Sequence, residues 1–145
     1  MTNLYDPNFT ARYFDDFGDR EWERLVSTPA DEIKLHIHAH YLRQYIEKGS
    51  LVLDIGAGAG RFTQILAKLG AMVVVADISH HQLELNQRYA SEFPFADAVK
   101  DWLQLDICDM SVLADQTFDA VVCYGNPLGY VFEKRDQALS EVLRV

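Results

Sequence analysis

The sequence predicts an α/β protein, an open parallel sheet with helices on both faces, and three observations predict it. From Leu51 onward, short apolar runs alternate with segments of helical period, the signature of parallel strands joined by crossing helices. A glycine cluster, Gly56-Ala57-Gly58-Ala59-Gly60, joins the first apolar run to the first of these helices. Aspartates stand at or near the ends of three runs: Asp54, Asp77 and Asp106. Ligands of such sheets bind beyond the carboxyl ends of the strands, so these positions carry the functional reading.

Residues 1–28 are rich in aromatics and acids (Tyr5, Phe9, Tyr13, Phe14, Phe17, Trp22) and show no long period. A disordered tail rarely holds so many aromatics, so this stretch reads as an ordered appendage, with one short helix over Asp19–Val26 capped by Asp19. A long helix is expected from Thr28, a good N-cap, with Pro29 at the first helical position and Asp31 completing an approximate capping box. It runs to Glu47 or Lys48, turns Leu35, Ala39, Leu42 and Ile46 to one face, and stops at Gly49. The alternation Ile33-Leu35-Ile37-Ala39-Tyr41 also fits a strand, but the cap and the later spacing favour a helix.

Leu51–Ile55 is the first strand. Phe62, Ile65, Leu66 and Leu69 follow at i, i+3, i+4 and i+7, a helix closed by Gly70. Met72–Ala76 is the second strand. Ser79 with Gln82 forms a capping box opening a helix that buries Leu85 and Tyr89, with Phe93 a further candidate, and Pro94 breaks it. Trp102–Leu105 and Phe118–Tyr124 are the third and fourth strands. Ala138, Leu139, Val142 and Leu143 mark a last helix, still running at Val145.

Composition bounds the function. A chain of 145 residues, 49% hydrophobic and 24% charged, is globular and long enough for one core. No apolar run approaches the ~18 residues of a membrane span, and Met1–Arg12 has no apolar core of a secretory signal. Two cysteines, Cys108 and Cys123, make no disulfide framework; reduced thiols in a cytoplasmic protein are expected. A net charge of −9 argues against nucleic acid or an anionic membrane as partner.

The glycine cluster lets backbone approach a ligand closely, and the helix after it offers N–H groups and positive potential. A dinucleotide-binding loop would read G-x-G-x-x-G. Here Arg61 holds the third glycine position, and the Asp54 carboxylate would repel a pyrophosphate while favouring an ammonium group. An amino-acid-bearing nucleoside therefore fits better than NAD. Asp77, 21 residues after Gly56, can accept from both ribose hydroxyls, and Ile78 can lie against a flat base. Asp106 can accept from an exocyclic amine such as adenine N6, and the Ile107 N–H can donate to the ring. Asp109 reads better as a cap for the turn at Met110–Leu113.

The segments Leu53-Asp54-Ile55-Gly56-Ala57-Gly58-Ala59-Gly60, Val75-Ala76-Asp77-Ile78-Ser79, Leu105-Asp106-Ile107 and Phe118-Asp119-Ala120-Val121-Val122 resemble, in order, the motifs of class I S-adenosylmethionine-dependent methyltransferases. The likeness is to the type 11 small-molecule enzymes and covers about residues 50–145. It implies a Rossmann-like sheet of seven strands ordered 3-2-1-4-5-7-6, of which only strands 3-2-1-4 are expected here. It implies S-adenosyl-L-methionine as cofactor and a small-molecule methyl acceptor. The implied cofactor-binding residues are Asp54, Gly56, Ala57, Gly58, Gly60, Asp77, Ile78, Asp106, Ile107 and Tyr124. It also divides the chain into an N-terminal helical cap, residues 1–48, and a cofactor-binding domain, residues 49–145.

Tyr124-Gly125-Asn126-Pro127-Leu128 is superficially similar to the Asn-Pro-Pro-Tyr loop of nucleobase and glutamine methyltransferases, but Leu128 replaces the second proline and Asn126 falls two residues late. His36, His38 and His40 suggest a metal, yet on a helix i+2 points away from i and i+4. Polar surface, or one histidine facing the cleft, fits better. Tyr5, Tyr13, Trp22, Tyr124 and Tyr130 are candidates to line an acceptor pocket. Methyl transfer from a sulfonium needs alignment and exclusion of water, and no catalytic base is identified. The alternatives are a binding module without a complete acceptor site and, less favoured, an NAD-type oxidoreductase. The expectation on length is a fragment of a longer product, with an apolar fourth strand whose open edge invites association between copies.

Overall fold

The computed structural model describes residues 4–145; residues 1–3, where the stretch read for a secretory signal begins, lie outside the described residues. The sheet holds β1 (Leu51–Ile55), β2 (Met72–Asp77), β3 (Val99–Gln104) and β4 (Ala120–Val122), all parallel in the order β3-β2-β1-β4. The order expected from the motifs is the order found. Leu51 pairs with Met72 and Val52 with Ala120, which sets the ends of β1, β2 and β4 level. β1 and β2 are central and covered on both faces, which explains why they read as unbroken apolar runs.

Two helical layers cover those faces. Leu42 of the long N-terminal helix and Ile46 just past its end pack with Val52, Val73, Val75, Phe62 and Leu66 on one side. Leu53, Ile55 and Ala76 pack with Met110, Val131 and Ala138 on the other. Between the strands run α4 (Arg61–Lys68) and α5 (His80–Glu92); α6 (Pro127–Tyr130) and α7 (Arg135–Arg144) follow β4.

The N-terminal segment holds more structure than expected. α1 (Pro7–Phe17) is not among the expected helices, although Asp6 caps it by accepting from Asn8 N at 2.9 Å and Phe9 N at 3.2 Å, with Pro7 at its first position. α2 (Arg20–Glu23) is shorter than the expected Asp19–Val26. Asp19 makes no cap there; its carboxylate accepts from Tyr89 Oη at 2.7 Å and pairs with Arg88. α3 (Pro29–Tyr45) starts at Thr28 as expected, with the Thr28 hydroxyl accepting from Asp31 N at 3.2 Å. It ends at Tyr45, because Ile46 turns extended to bury its side chain. Gly49 instead serves the turn into β1, donating to Gly70 O at 2.9 Å.

Other boundaries move for local reasons. β3 begins at Val99, before the expected Trp102, because pairing with β2 starts there, and Leu105 lies past its end. β4 keeps only three residues, since ladder pairing with β1 stops at Val122. Ser79 caps α5 by accepting from Gln82 N at 3.0 Å, but the Gln82 side chain does not close the box. Its amide donates to Phe14 O at 3.0 Å and Gly18 O at 3.1 Å and ties α5 to the end of α1. Phe93 stays 42% exposed, one ring face on Trp22. α7 runs to Arg144 as expected, with Val145 N still donating to Glu141 O at 3.2 Å, and the Val145 carbonyl accepts from Thr117 and Phe118 N.

Candidate ligand-binding site

A cavity of about 150 Å³ opens at the carboxyl ends of the strands. Its floor comes from the strand ends, including Gly56, Gly58, Asp77, Ile78 and Ile107. Its roof comes from the N-terminal segment: Tyr5, Tyr13, Phe14, Phe17, Glu21 and Arg24. Ala57, Gly60 and Tyr124 line a smaller hollow that shares Glu21, Arg24 and Gly56 with the cavity. Of the ten expected site residues, Asp54 and Asp106 line neither space.

The glycine loop is shaped by close approach. Gly56 sits at φ 69°, and a Cβ there would stand 2.4 Å from Pro127 Cγ, so this position admits no side chain while the β1 and β4 loops touch. Gly60 opens α4 at φ 103°, with Asn86 Nδ2 2.8 Å from where its Cβ would be. Four of the loop's donors are spent inside the protein. Gly56 and Ala57 N both reach Ala76 O at 2.8 and 3.1 Å, Gly58 N reaches Asp77 Oδ2 at 2.8 Å, and Gly60 N reaches Ala57 O at 3.2 Å. The N–H groups at the start of α4, the ones expected to serve a ligand, are not among these donors, and the four bonded amides offer no phosphate cradle.

The three aspartates part ways. Asp77 is buried yet lines the cavity; one oxygen accepts from Gly58 N and the other from Ser79 N at 2.9 Å. Burial pushes its carboxyl up to about 6 against the pull of those backbone bonds. Asp54 is a correction: it is buried away from the cavity, accepts from Thr63 Oγ1 at 2.7 Å, and is pushed up to about 7 by desolvation, with Asp77 adding to it. A carboxyl so placed cannot greet a ligand's ammonium. Asp106 is the second correction. Its Oδ1 already accepts from Tyr5 Oη at 2.9 Å and Cys108 N at 2.8 Å, and the residue lines neither space. Asp109 caps its turn by accepting from Ser111 N at 3.2 Å, as expected.

The roof is held by one aromatic anchor. Trp22 lies between the Arg61 guanidinium, 3.8 Å from its ring centroid, and the stacked Tyr89 ring at 4.0 Å. Arg61 Nε also donates to Trp22 O at 2.6 Å. Trp22 is therefore structural and lines no pocket, whereas Tyr5, Tyr13 and Tyr130 face the cavity. Of the three histidines on α3, His38 packs against Tyr124 at 4.5 Å and Phe62 at 5.6 Å, and His40 faces Gln44. Among the described residues no group of three side chains gathers with metal-ligand chemistry. His80 and His81 face Glu84 and do not line the cavity.

Sequence reasoning missed Asn86, which joins the loop to the sheet edge. Fully buried, it donates to Gly58 O at 3.1 Å and Thr63 Oγ1 at 3.2 Å and accepts from Trp102 Nε1 at 3.0 Å. Its signal was available: Gln82 and Asn86 stand four apart on the helix face that also buries Leu83, Leu85 and Tyr89. Glu21 and Arg24 were missed too, because only the tertiary placement of α2 brings them to the cavity.

Comparison with known proteins agrees with this architecture. Residues 52–145 match the family model described as a methyltransferase domain. The chain is 32% identical over 146 residues to a demethylmenaquinone methyltransferase of Thermobifida fusca, covering 97% of this chain and 57% of that protein. It is 30% identical over 141 residues to a glycine/sarcosine N-methyltransferase of Parasynechococcus marenigrum, covering 95% and 48%. The chain thus spans about half the length of the curated relatives it matches. The magnesium protoporphyrin IX methyltransferase of Synechocystis PCC 6803, solved with S-adenosylmethionine bound, superposes with a TM-score of 0.75 at 21% identity over 98% of this chain and 72% of that one, which shows the same fold. No helix among the described residues is long and apolar enough to cross a membrane. By its matched motifs and its strand order, the chain belongs to the methyltransferase domain family, the class I S-adenosylmethionine-dependent methyltransferases.

Proposed function

We propose that this chain binds S-adenosylmethionine in the cavity at its strand ends and serves methyl transfer to a small-molecule acceptor. The observation that carries the reading is the pairing of Asp77, a carboxyl facing the cavity, with a glycine loop whose N–H groups turn inward. Such a site has acceptors for ribose hydroxyls, and its bonded loop amides offer no cradle for a pyrophosphate. Its glycines let the thioether end of a nucleoside approach the backbone. The residues present therefore fit the cofactor.

When bound, S-adenosylmethionine supplies a methyl group on a sulfonium sulfur, already activated for in-line displacement. The protein's part is to hold and to exclude. Asp77 accepts from the ribose hydroxyls, since each oxygen keeps a lone pair beyond its backbone bond. Ile78 and Ile107 flank the flat base. Tyr13, Phe14 and Tyr130, in mutual ring contact, keep water out under α1. In this reading residues 1–48 form a cap and residues 49–145 the cofactor-binding domain. The named substrates of the relatives, glycine, sarcosine and demethylmenaquinone, support a small acceptor. The free cysteines Cys108 and Cys123 support a cytoplasmic setting.

Titration calorimetry with S-adenosylmethionine, S-adenosylhomocysteine and NAD tests the reading. Binding of both sulfur nucleosides and not NAD is expected; NAD binding alone would overturn it. Labelled methyl donor with a metabolite pool then separates turnover from a binding module.

A further inference from the structure

α3 carries two apolar stripes, and only one of them is covered. Leu35, Ala39 and Leu42 turn inward, to the sheet and to α4. Ile33, Ile37, Tyr41 and Tyr45 recur every four residues on the opposite side and stand 61%, 47%, 51% and 75% exposed. Two interleaved stripes on one helix explain the strand-like alternation of this segment in the sequence. Among the described residues no other helix exposes more than two large apolar side chains.

The surroundings of the outer stripe suit burial. His40 and Gln44, the polar residues within its arc, hydrogen-bond one another at 2.9 Å, which lowers the cost of taking them from water. Lys34, beside the stripe, reaches back to Asp31 at 3.1 Å. A patch with tyrosines and without ionised side chains has the composition of an interface core.

We propose that two copies of this chain pair through the outer stripes of α3, antiparallel about a two-fold axis between Ile37 and Tyr41. The order of the stripe fits a second copy. Its isoleucines lie in the N-terminal half and its tyrosines in the C-terminal half. Antiparallel copies therefore set Ile33 against Tyr45 and Ile37 against Tyr41, a small side chain facing a large one at every contact. Parallel copies would set tyrosine on tyrosine. Charge agrees: the first turn of α3 holds Asp31 and Glu32 and the last turn Arg43, so the acidic end of each helix lies over the basic end of the other. Each copy carries a net charge of −9, and like-charged copies meet at least cost where the surface holds no charge. The four side chains expose on the order of 450 Å² per copy, against about 800 Å² per partner in a stable interface. His36, His40 and Gln44 at the flanks add to that area, and an interface of this size gives a dimer of micromolar strength.

Sedimentation equilibrium on the 145-residue chain from about 1 to 100 µM tests the pairing. The proteins are the wild type, Ile37→Glu, Tyr41→Lys and an equal mixture of these two variants. The wild type is expected to dimerise within that range. Each variant alone buries an unpaired charge at the axis and weakens the dimer about 30-fold or more. In the mixture the new acid of one copy faces the new base of the other, so the mixed pair forms about ten-fold more tightly than either variant pairs with itself. Both positions are exposed, so the urea midpoints stay near that of the wild type. A variant whose midpoint falls is replaced by Ile37→Ser or Tyr41→Ser, which is expected to weaken the dimer about ten-fold. A wild type still monomeric at about 100 µM overturns the proposal. A dimer that both variants leave untouched joins other surfaces, the open edge of β4 among them, and overturns it too. Variants that weaken the dimer with no gain on mixing overturn the antiparallel pairing.

Discussion

The Tyr5 hydroxyl donates to Asp106 Oδ1 at 2.9 Å, bonding the start of the described chain to the turn after β3. Tyr5 N also donates to Glu133 at 3.0 and 3.1 Å, so the segment before α1 is fastened at two points. Burial and the Asp106 carboxylate hold the Tyr5 phenol well above its ordinary range, which keeps it a donor at any working pH. Tyr5→Phe removes this bond while leaving the ring in place. The expected cost is about 1–2 kcal/mol of stability, with faster tryptic cleavage at Arg12 and Arg20. A Tyr5→Phe/Asp106→Asn double-mutant cycle should return a coupling of about 1 kcal/mol. Unchanged cleavage and zero coupling would show that the latch does not hold the roof.

Asp77 is the ribose acceptor in the proposed site. Asp77→Ala removes two charge-assisted acceptors and frees the Gly58 and Ser79 amides. Affinity for S-adenosylhomocysteine should fall about ten-fold or more, at roughly 1.5 kcal/mol or more per lost bond. Because burial pushes Asp77 up to about 6, the affinity of the wild type should also weaken as pH drops through that value, where the carboxyl gains its proton and loses acceptor strength. Calorimetry at pH 5 and pH 8 measures both effects, and equal affinity for wild type and variant at pH 8 contradicts the assignment.

Much of this site was legible because its frame is built from short-range rules. Alternating strand and helix periods, the Thr28 and Ser79 caps, and the glycine cluster are each encoded within a few residues, and all three stand in the structure. The aspartates were harder, because the direction of a side chain at a strand end depends on what packs above it. Asp54 turned inward to Thr63, nine residues away, and Asp106 was claimed by Tyr5, 101 residues away. The roof was least legible. α1 carried a local signal in Asp6-Pro7, but only its packing on α5, through Gln82 and Asp15, places Glu21 and Arg24 at the cavity.

The burial of Asp54 makes a pH prediction whose sign follows from proton counts. Desolvation pushes this carboxyl up to about 7, with the Thr63 hydroxyl opposing and Asp77 adding, while in the unfolded chain it returns to about 3.9. Between those values the native state binds more protons than the unfolded state, so this group lowers stability as pH rises and its effect levels off above about pH 7. Asp54→Asn removes the titration. Urea unfolding should show the variant gaining on the wild type from pH 5 to pH 8, by on the order of 1 kcal/mol or more. The gain should vanish near pH 4. Parallel pH curves for the two proteins would contradict a carboxyl titrating in this range.

Asn86 joins three elements that share no local sequence. Its amide reaches Gly58 O in the glycine loop and Thr63 in α4, its carbonyl accepts from Trp102 Nε1 on β3, and Thr63 passes the contact on to Asp54. Every polar atom of the side chain is used, in a site with no water access, so the residue is costly to replace by an apolar one. Asn86→Leu leaves the Trp102 indole N–H and the Gly58 carbonyl without their partner. The expected loss is about 2–4 kcal/mol, read as a lower urea midpoint at unchanged slope. Because Gly58 also carries the amide that bonds Asp77, loosening its carbonyl should weaken nucleoside binding as well. A loss below about 0.5 kcal/mol, within the range of ordinary surface substitutions, would mean the loop is held by its backbone bonds to Ala76 and not by this side chain.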